Sequence, residues 1–198
     1  PSPYSISQEI YIDLLPVESY LTEGIWRIVL SAGKIVTGQY EMWLPSDNVL
    51  NRGTGFLFPT DATTLTIPSS ASRAISVGAY DARTFAYADF SGRGFTRLTN
   101  MVKPDLVAPG VEVMTTTVGG GYAAFTGTSF ATPFVTGSAA LLMEWGIVRG
   151  NDPYLYGEKV KAYLRKGAQS VGGYEEYPNV EVGWGRLCLA ESIPYGIS

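Results

Sequence analysis

The residues best suited to chemistry lie in one run, Gly127-Thr128-Ser129-Phe130-Ala131-Thr132-Pro133-Phe134-Val135-Thr136-Gly137. Gly127 permits a tight turn just before an apolar, helix-forming stretch. Ser129 then falls at a helix N-terminus, where free amides and the positive end of the dipole favour a developing negative charge. That setting suits a serine nucleophile whose own N–H helps hold an oxyanion. Ala131 is small and keeps the approach to Ser129 open. Pro133 is expected in the first turn, where its missing N–H costs nothing. Taken alone, Ser129 reads more readily as a helix N-cap. Thr128 either adds to the oxyanion site or satisfies a local turn.

A serine nucleophile needs a base, and the composition restricts where one comes from. The chain has 198 residues and no histidine, which removes the usual base near neutral pH. A hydrolase built on Ser129 without a histidine must borrow a base from elsewhere or be incomplete. A serine–lysine pair using Lys34 or Lys103 is conceivable, but no spacing favours either. The single cysteine, Cys188, excludes an internal disulfide and a multi-cysteine zinc site. It lies in an apolar run and is expected as an inert buried thiol. A net charge of −4 argues against a nucleic-acid partner. Gly119-Gly120-Gly121 is no phosphate cradle, because no Gly-Lys-Ser/Thr follows. No metal or cofactor is expected. The longest strongly apolar stretch, around Ala139–Met143, is far short of a membrane span. Pro1–Tyr4 lack the basic and apolar regions of a signal peptide.

The elements that must position Ser129 fall into two parts. In residues 1–65, apolar residues alternate at Ile10, Ile12 and Leu14, at Trp26, Ile28 and Leu30, and at Tyr40, Met42 and Leu44. Period-2 patterning between turn residues predicts antiparallel β structure. In residues 66–198 the pattern is mixed α/β. Ala74–Ala79 has the short apolar form of a buried parallel strand, and Asp105–Gly110 runs into a turn. Val111 and Val113 suggest a further strand, and Gly119–Gly121 a hairpin or loop. A helix is predicted from about Ser129 to Trp145, apolar on nearly every face and therefore expected to be central and buried. A second is predicted near Glu158–Lys166, with Val160 and Leu164 inward and Lys161 and Arg165 elsewhere. Asn151-Asp152-Pro153 has the form of a helix start.

With these motifs in order, the chain resembles the subtilisin-like serine peptidases. Gly127-Thr128-Ser129-x-Ala131-x-Pro133 is similar to that family's nucleophile motif. Val77-Gly78-Ala79, Phe90-Ser91-Gly92-Arg93-Gly94, Lys103-Pro104-Asp105-Leu106-Val107-Ala108-Pro109-Gly110 and Gly183-Trp184-Gly185-Arg186-Leu187 follow the family in order and spacing. Residues 1–65 resemble part of a jelly-roll insertion found in some Gram-positive subtilases, the germination-specific clostridial group among them.

The resemblance implies a parallel α/β sheet around a buried central helix, and a Ser-His-Asp endopeptidase acting on proteins or peptides. Ser129 would be its nucleophile, and Ser129 and Thr128 would stand at the oxyanion site. By register from Val77-Gly78-Ala79, Thr66 would either fall on the strand edge that walls the primary specificity pocket or be an ordinary strand residue. The family's order is Asp, His, Ser, so Asp105 is not the triad acid but a structural turn residue. Arg93 is expected as a solvated charge.

The family's Asp-Ser-Gly or Asp-Thr-Gly, His-Gly-Thr and Ala-Ala-Gly-Asn segments do not occur. Phe134 stands where the family commonly has a histidine that is not the base, and Phe130 where it commonly has methionine. The resemblance therefore implies the C-terminal half of a subtilase. Its partner would be the N-terminal half of the same protein, which carries Asp, His and the oxyanion Asn. That half alone would be inactive, and the location extracytoplasmic, secreted or at the cell or spore surface. Alternatives are a pseudoprotease that keeps the core, and a sedolisin with glutamate in place of histidine. A β-sandwich carbohydrate-binding module would account for residues 1–65 only.

Overall fold

The computed structural model describes residues 9–194 except 32, 36, 37, 46–48 and 98. The chain divides into two units, Pro1–Thr54 and Gly55–Ser198. This break falls earlier than the change of pattern near residue 65. Residues after Thr54 already engage the second unit, where the Thr64 amide donates to Arg93 O (3.0 Å) and Thr63 bridges Gly94.

Among the described residues of 1–65 the expected strands are not formed. Among the described residues of the first unit the only ladder contact is a bridge between Val17 and Tyr20. Ile10, Ile12, Trp26, Ile28, Tyr40 and Trp43 are all exposed. Alternation creates a face that can be buried, but a few strands without further partners make a poor independent sheet.

In the second unit a three-stranded sheet has the order β2-β1-β5. Strand β1 (Val77–Asp81) is parallel to β5 (Leu106–Pro109), with Val77 opposite Leu106 and Tyr80 opposite Pro109. Strand β2 (Ala86–Tyr87) lies antiparallel on the other side and covers β1 only at Tyr80 and Asp81. Toward Val77 that edge has no paired strand among the described residues. Strands β3 (Gly94–Phe95) and β4 (Val102–Lys103) form a small ladder. Strands β6 (Val113–Thr116) and β7 (Tyr122–Phe125) form the hairpin tipped by Gly119–Gly121.

Helix α1 (Thr128–Met143) packs on β1 and β5 and continues into a wider π turn, Glu144–Val148. Helix α2 (Gly157–Lys166) and the short α3 (Leu189–Ser192) follow. Ala79, Leu106, Ala108, Ala131, Leu142, Leu155 and Leu164 form the dry centre, each without solvent exposure. The alanines among them let α1 approach the sheet closely.

Three expectations differ from the structure. Helix α1 is buried along one stripe only, Ala131, Val135, Ser138 and Leu142, while Phe134, Leu141 and Met143 are exposed. By length and composition Thr128–Val148 could cross a membrane, but its buried stripe packs on β1 and β5 as a core helix does.

Pro133 is the sixth helical residue rather than part of the first turn. Its nitrogen stands where an amide would bond the Ser129 carbonyl. Asn151-Asp152-Pro153 starts no helix. The Asp152 carboxylate instead accepts Lys159 Nζ (2.6 Å) and Tyr163 OH (2.8 Å), and α2 begins at Gly157.

Candidate active site

The β6–β7 hairpin delivers the chain to Gly127, the residue before α1. Gly127 has φ 151° and ψ 159°, on the glycine side of the map. Its amide donates to Gly110 O at 2.8 Å, and the Gly110 amide donates to Tyr80 O at 3.0 Å. The end of β1, the end of β5 and the start of α1 are thereby tied in series. The Phe125 and Phe130 rings stack at 5.3 Å across the same junction. Ser129 is therefore the second residue of a helix whose N-terminus is anchored to the sheet.

Ser129 is exposed and Thr128 half-buried. No side chain caps α1, and the Thr128 and Ser129 amides meet no acceptor among the described residues. Ser129 thus stands with a free hydroxyl beside unpaired donors at the positive end of a long helix. Such an arrangement stabilises an alkoxide or oxyanion. The N-cap alternative for Ser129 does not hold, because Gly127 occupies the cap.

Beside this helix start lies a cleft of about 300 Å³, lined by Thr66, Ser69, Ser76, Val77 and Thr128 among others. An adjoining cleft of about 270 Å³ shares Thr66, Ser69, Val77 and Thr128 and adds Ala74, Ile75 and Thr132. Thr66 and Thr128, far apart in the chain, are brought to the same walls. Ser129 itself is not among the lining residues. Gly92 approaches the Thr64–Leu65 main chain closely, where an added Cβ would meet Thr64 O at 3.0 Å. Ser91 Oγ accepts the Ala79 amide at 2.7 Å, which holds this end of β1.

Charged residues support the cleft in a way that local patterning did not reveal. Arg93 is no solvated charge. It pairs with Asp61 at 2.6 Å and with Glu181, and lies over the Tyr87 ring at 5.3 Å. Tyr174 donates to Glu181 at 2.5 Å, and burial with that carboxylate drives its phenol far above the ordinary range. Asp105 has no solvent exposure and receives the Ser76 amide, Lys103, Lys161 and Arg165. Its place in a turn was legible; its four partners were not.

Lys161, expected away from the core face of α2, is buried with Val160 and Leu164. Arg165 stacks over Trp184 at 3.8 Å, and its Nε has no partner there. Cys188, expected buried, is half-buried at the residue preceding α3. Among the described residues no three His, Cys, Asp or Glu side chains are arranged to hold a metal ion.

Comparison with known proteins adds to this geometry. The family model of the subtilases, peptidase S8, matches residues 28–185. Serine protease AprX of Bacillus subtilis is 31% identical over 154 residues, 68% of this chain and 33% of that protein. Subtilisin BL of Lederbergia lenta is 34% identical over 116 residues, 59% of this chain and 38% of that one. Among solved structures, the CspB protease of Clostridium perfringens superposes with a TM-score of 0.69 and 47% identity. That match covers 72% of this chain and 30% of CspB. The chain spans about a third of the length of each of these proteins.

Proposed function

The chain belongs to the subtilase family, and from that premise we propose that it is the nucleophile-bearing part of a serine endopeptidase. Ser129 attacks the scissile carbonyl of a protein or peptide. A histidine outside these residues takes the hydroxyl proton and later returns it to the leaving amine, and an aspartate orients that histidine. The Ser129 amide donates to the oxyanion, with Thr128 beside it and an asparagine from the absent part as second donor. Thr66 helps to shape the pocket for the substrate side chain.

The observation that carries this reading is the exposed Ser129 hydroxyl at the uncapped, sheet-anchored N-terminus of α1. The partner is the N-terminal half of the same protein. Two features suit it: the β1 edge without a paired strand near Val77, and the exposed apolar side of α1 at Phe134 and Leu141. The reaction belongs outside the cytoplasm on this reading. The 198 residues alone lack a base and do not turn over peptides.

A fluorophosphonate probe tests the reading on the full-length protein. Ser129 is labelled there, Ser129→Ala abolishes labelling, and the 198-residue chain alone is not labelled. Peptide hydrolysis falls on the order of 10⁶-fold in Ser129→Ala, a magnitude known for subtilisin of this same family rather than worked from this structure. A full-length protein that neither labels nor cleaves is a pseudoprotease, and the proposal then fails.

A further inference from the structure

The buried charges around Asp105 carry more positive charge than one carboxylate needs. Asp105 Oδ2 accepts the Ser76 amide (2.6 Å) and Lys103 Nζ (2.7 Å). Asp105 Oδ1 receives Lys161 Nζ (3.2 Å) and Arg165. Lys103 is fully buried and Lys161 is 3% exposed. A buried ammonium is costly unless its donors are satisfied, and burial pulls Lys161 below the ordinary lysine range.

The surplus donors go to main-chain carbonyls. Lys161 Nζ donates to Ser72 O at 2.8 Å and to Ala74 O at 3.0 Å, and Lys103 Nζ donates to Ala74 O at 2.8 Å. Charge-assisted bonds of this kind are stronger than neutral ones and fix the carbonyls they engage.

The segment so held is a wall of the cleft. Ala74, Ile75 and Val77 line the part beside Thr128 and Thr132, and Ser76 and Val77 line the part beside Thr66. Ser76 passes the constraint on: its Oγ bonds Ser69 Oγ at 2.7 Å, and the Ser69 amide donates to Thr66 O at 2.7 Å. A lysine on α2 thus reaches two carbonyls far back in the chain, at the base of a surface one residue from the nucleophile.

We propose that Lys161 is a positioning residue for substrate, its ammonium fixing the Ser72–Ala74 main chain that leads into the cleft wall at Ala74–Val77. The proposal rests on the serine-peptidase reading above and adds a specificity role to a residue remote from the chemistry.

The test uses full-length protein with Lys161→Met, Lys161→Arg and Lys161→Gln. Each is assayed on peptides that differ at the residue before the scissile bond, with the fluorophosphonate labelling rate measured in parallel. Lys161→Met raises KM about tenfold for the peptide best cleaved by wild type and flattens the preference among peptides. Its kcat and labelling rate stay within about twofold. Lys161→Arg, which keeps charged donors, restores the wild-type preference.

If Lys161→Met does not accumulate as folded protein, Lys161→Gln decides, since it keeps an N–H donor at lower burial cost. A raised KM with kcat retained supports the proposal, and an unchanged KM overturns it. Equal falls in kcat, labelling rate and affinity with no change in preference also overturn it, since they indicate general loosening. Wild-type protein that does not label at all marks failure of the peptidase reading instead.

Discussion

Gly110→Ala tests whether the junction under Ser129 is as tight as its geometry requires. Gly110 follows β5, accepts the Gly127 amide at 2.8 Å and donates to Tyr80 O at 3.0 Å. A Cβ at this position would lie 2.5 Å from Ala79 Cβ, 3.1 Å from Gly127 O and 3.4 Å from Ala131 Cβ. Carbon atoms prefer about 3.5–4.0 Å, so the overlap with Ala79 is about 1 Å. Ala79 and Ala131 are fully buried and have no rotamer through which to yield. Relief must come from the main chain at the end of β5 or the start of α1. Overpacking of this kind costs about 1–3 kcal/mol, and rigid neighbours put Gly110→Ala at the upper end.

The matched control is Gly137→Ala in the middle of α1, where an added Cβ meets nothing within 4 Å. There the helix gains about 0.5–1 kcal/mol. Urea unfolding followed by far-UV circular dichroism reads both. The midpoint falls for Gly110→Ala and rises for Gly137→Ala, with unchanged slopes. In full-length protein Gly110→Ala also slows fluorophosphonate labelling, because a displaced Gly127 moves Ser129. A misplacement of about 1 Å can cost about a hundredfold in rate. Wild-type stability and labelling in Gly110→Ala would refute the claim that close packing of β1, β5 and α1 positions the nucleophile.

Leu142→Ala, on the buried stripe of α1, should cost about 2–5 kcal/mol in the same unfolding assay. The exposed neighbour Leu141→Ala should stay within about 0.5 kcal/mol of wild type. Stability should also depend on acid through Asp105. Burial pushes its carboxyl upward, but bonds from Lys103, the Ser76 amide and Arg165 outweigh that and hold it below the ordinary value of 3.8. The unfolded chain then binds the proton more readily, so this stabilisation is complete above about pH 4 and is lost as pH falls through the folded value. Urea midpoints at successive pH values between about 5 and 3 should fall more steeply in wild type than in Asp105→Asn; parallel slopes would contradict the assignment.

Much of the fold was legible because its signals are local. The run from Gly127 to Gly137 announces a turn followed by a helix, and α1 begins within a residue of the expected place. Val77-Gly78-Ala79 is apolar on both faces, as a buried parallel strand must be, and the structure pairs it with Leu106-Val107-Ala108, a run that reads in the sequence as leading into a turn. The misreadings of residues 1–65 and of the burial of α1 have one physical origin. Alternation at Ile10–Leu14 and Trp26–Leu30 states which face of a strand can be buried, and apolar residues around α1 state that several faces can be. Neither states that the covering layer exists among these residues.

In the sequence Lys161 stands off the Val160 and Leu164 face and Arg93 reads as a solvated charge, because their partners, Ser72 and Ala74 for one and Glu181 for the other, are remote in the chain.

The sequence by itself determined the chemistry that is present and the chemistry that is not. A serine follows a glycine at a helix start, and no histidine occurs anywhere to activate it. Tertiary structure alone decided what surrounds that serine. It brought Thr66 and Thr128 to one cleft, closed Gly110 against Ala79, and drew Lys103, Lys161 and Arg165 onto Asp105 behind the cleft wall. Residue type and spacing set local conformation through backbone dihedrals and periodicity. Which distant charges and strand edges meet depends on how the layers pack, and no local pattern encodes that.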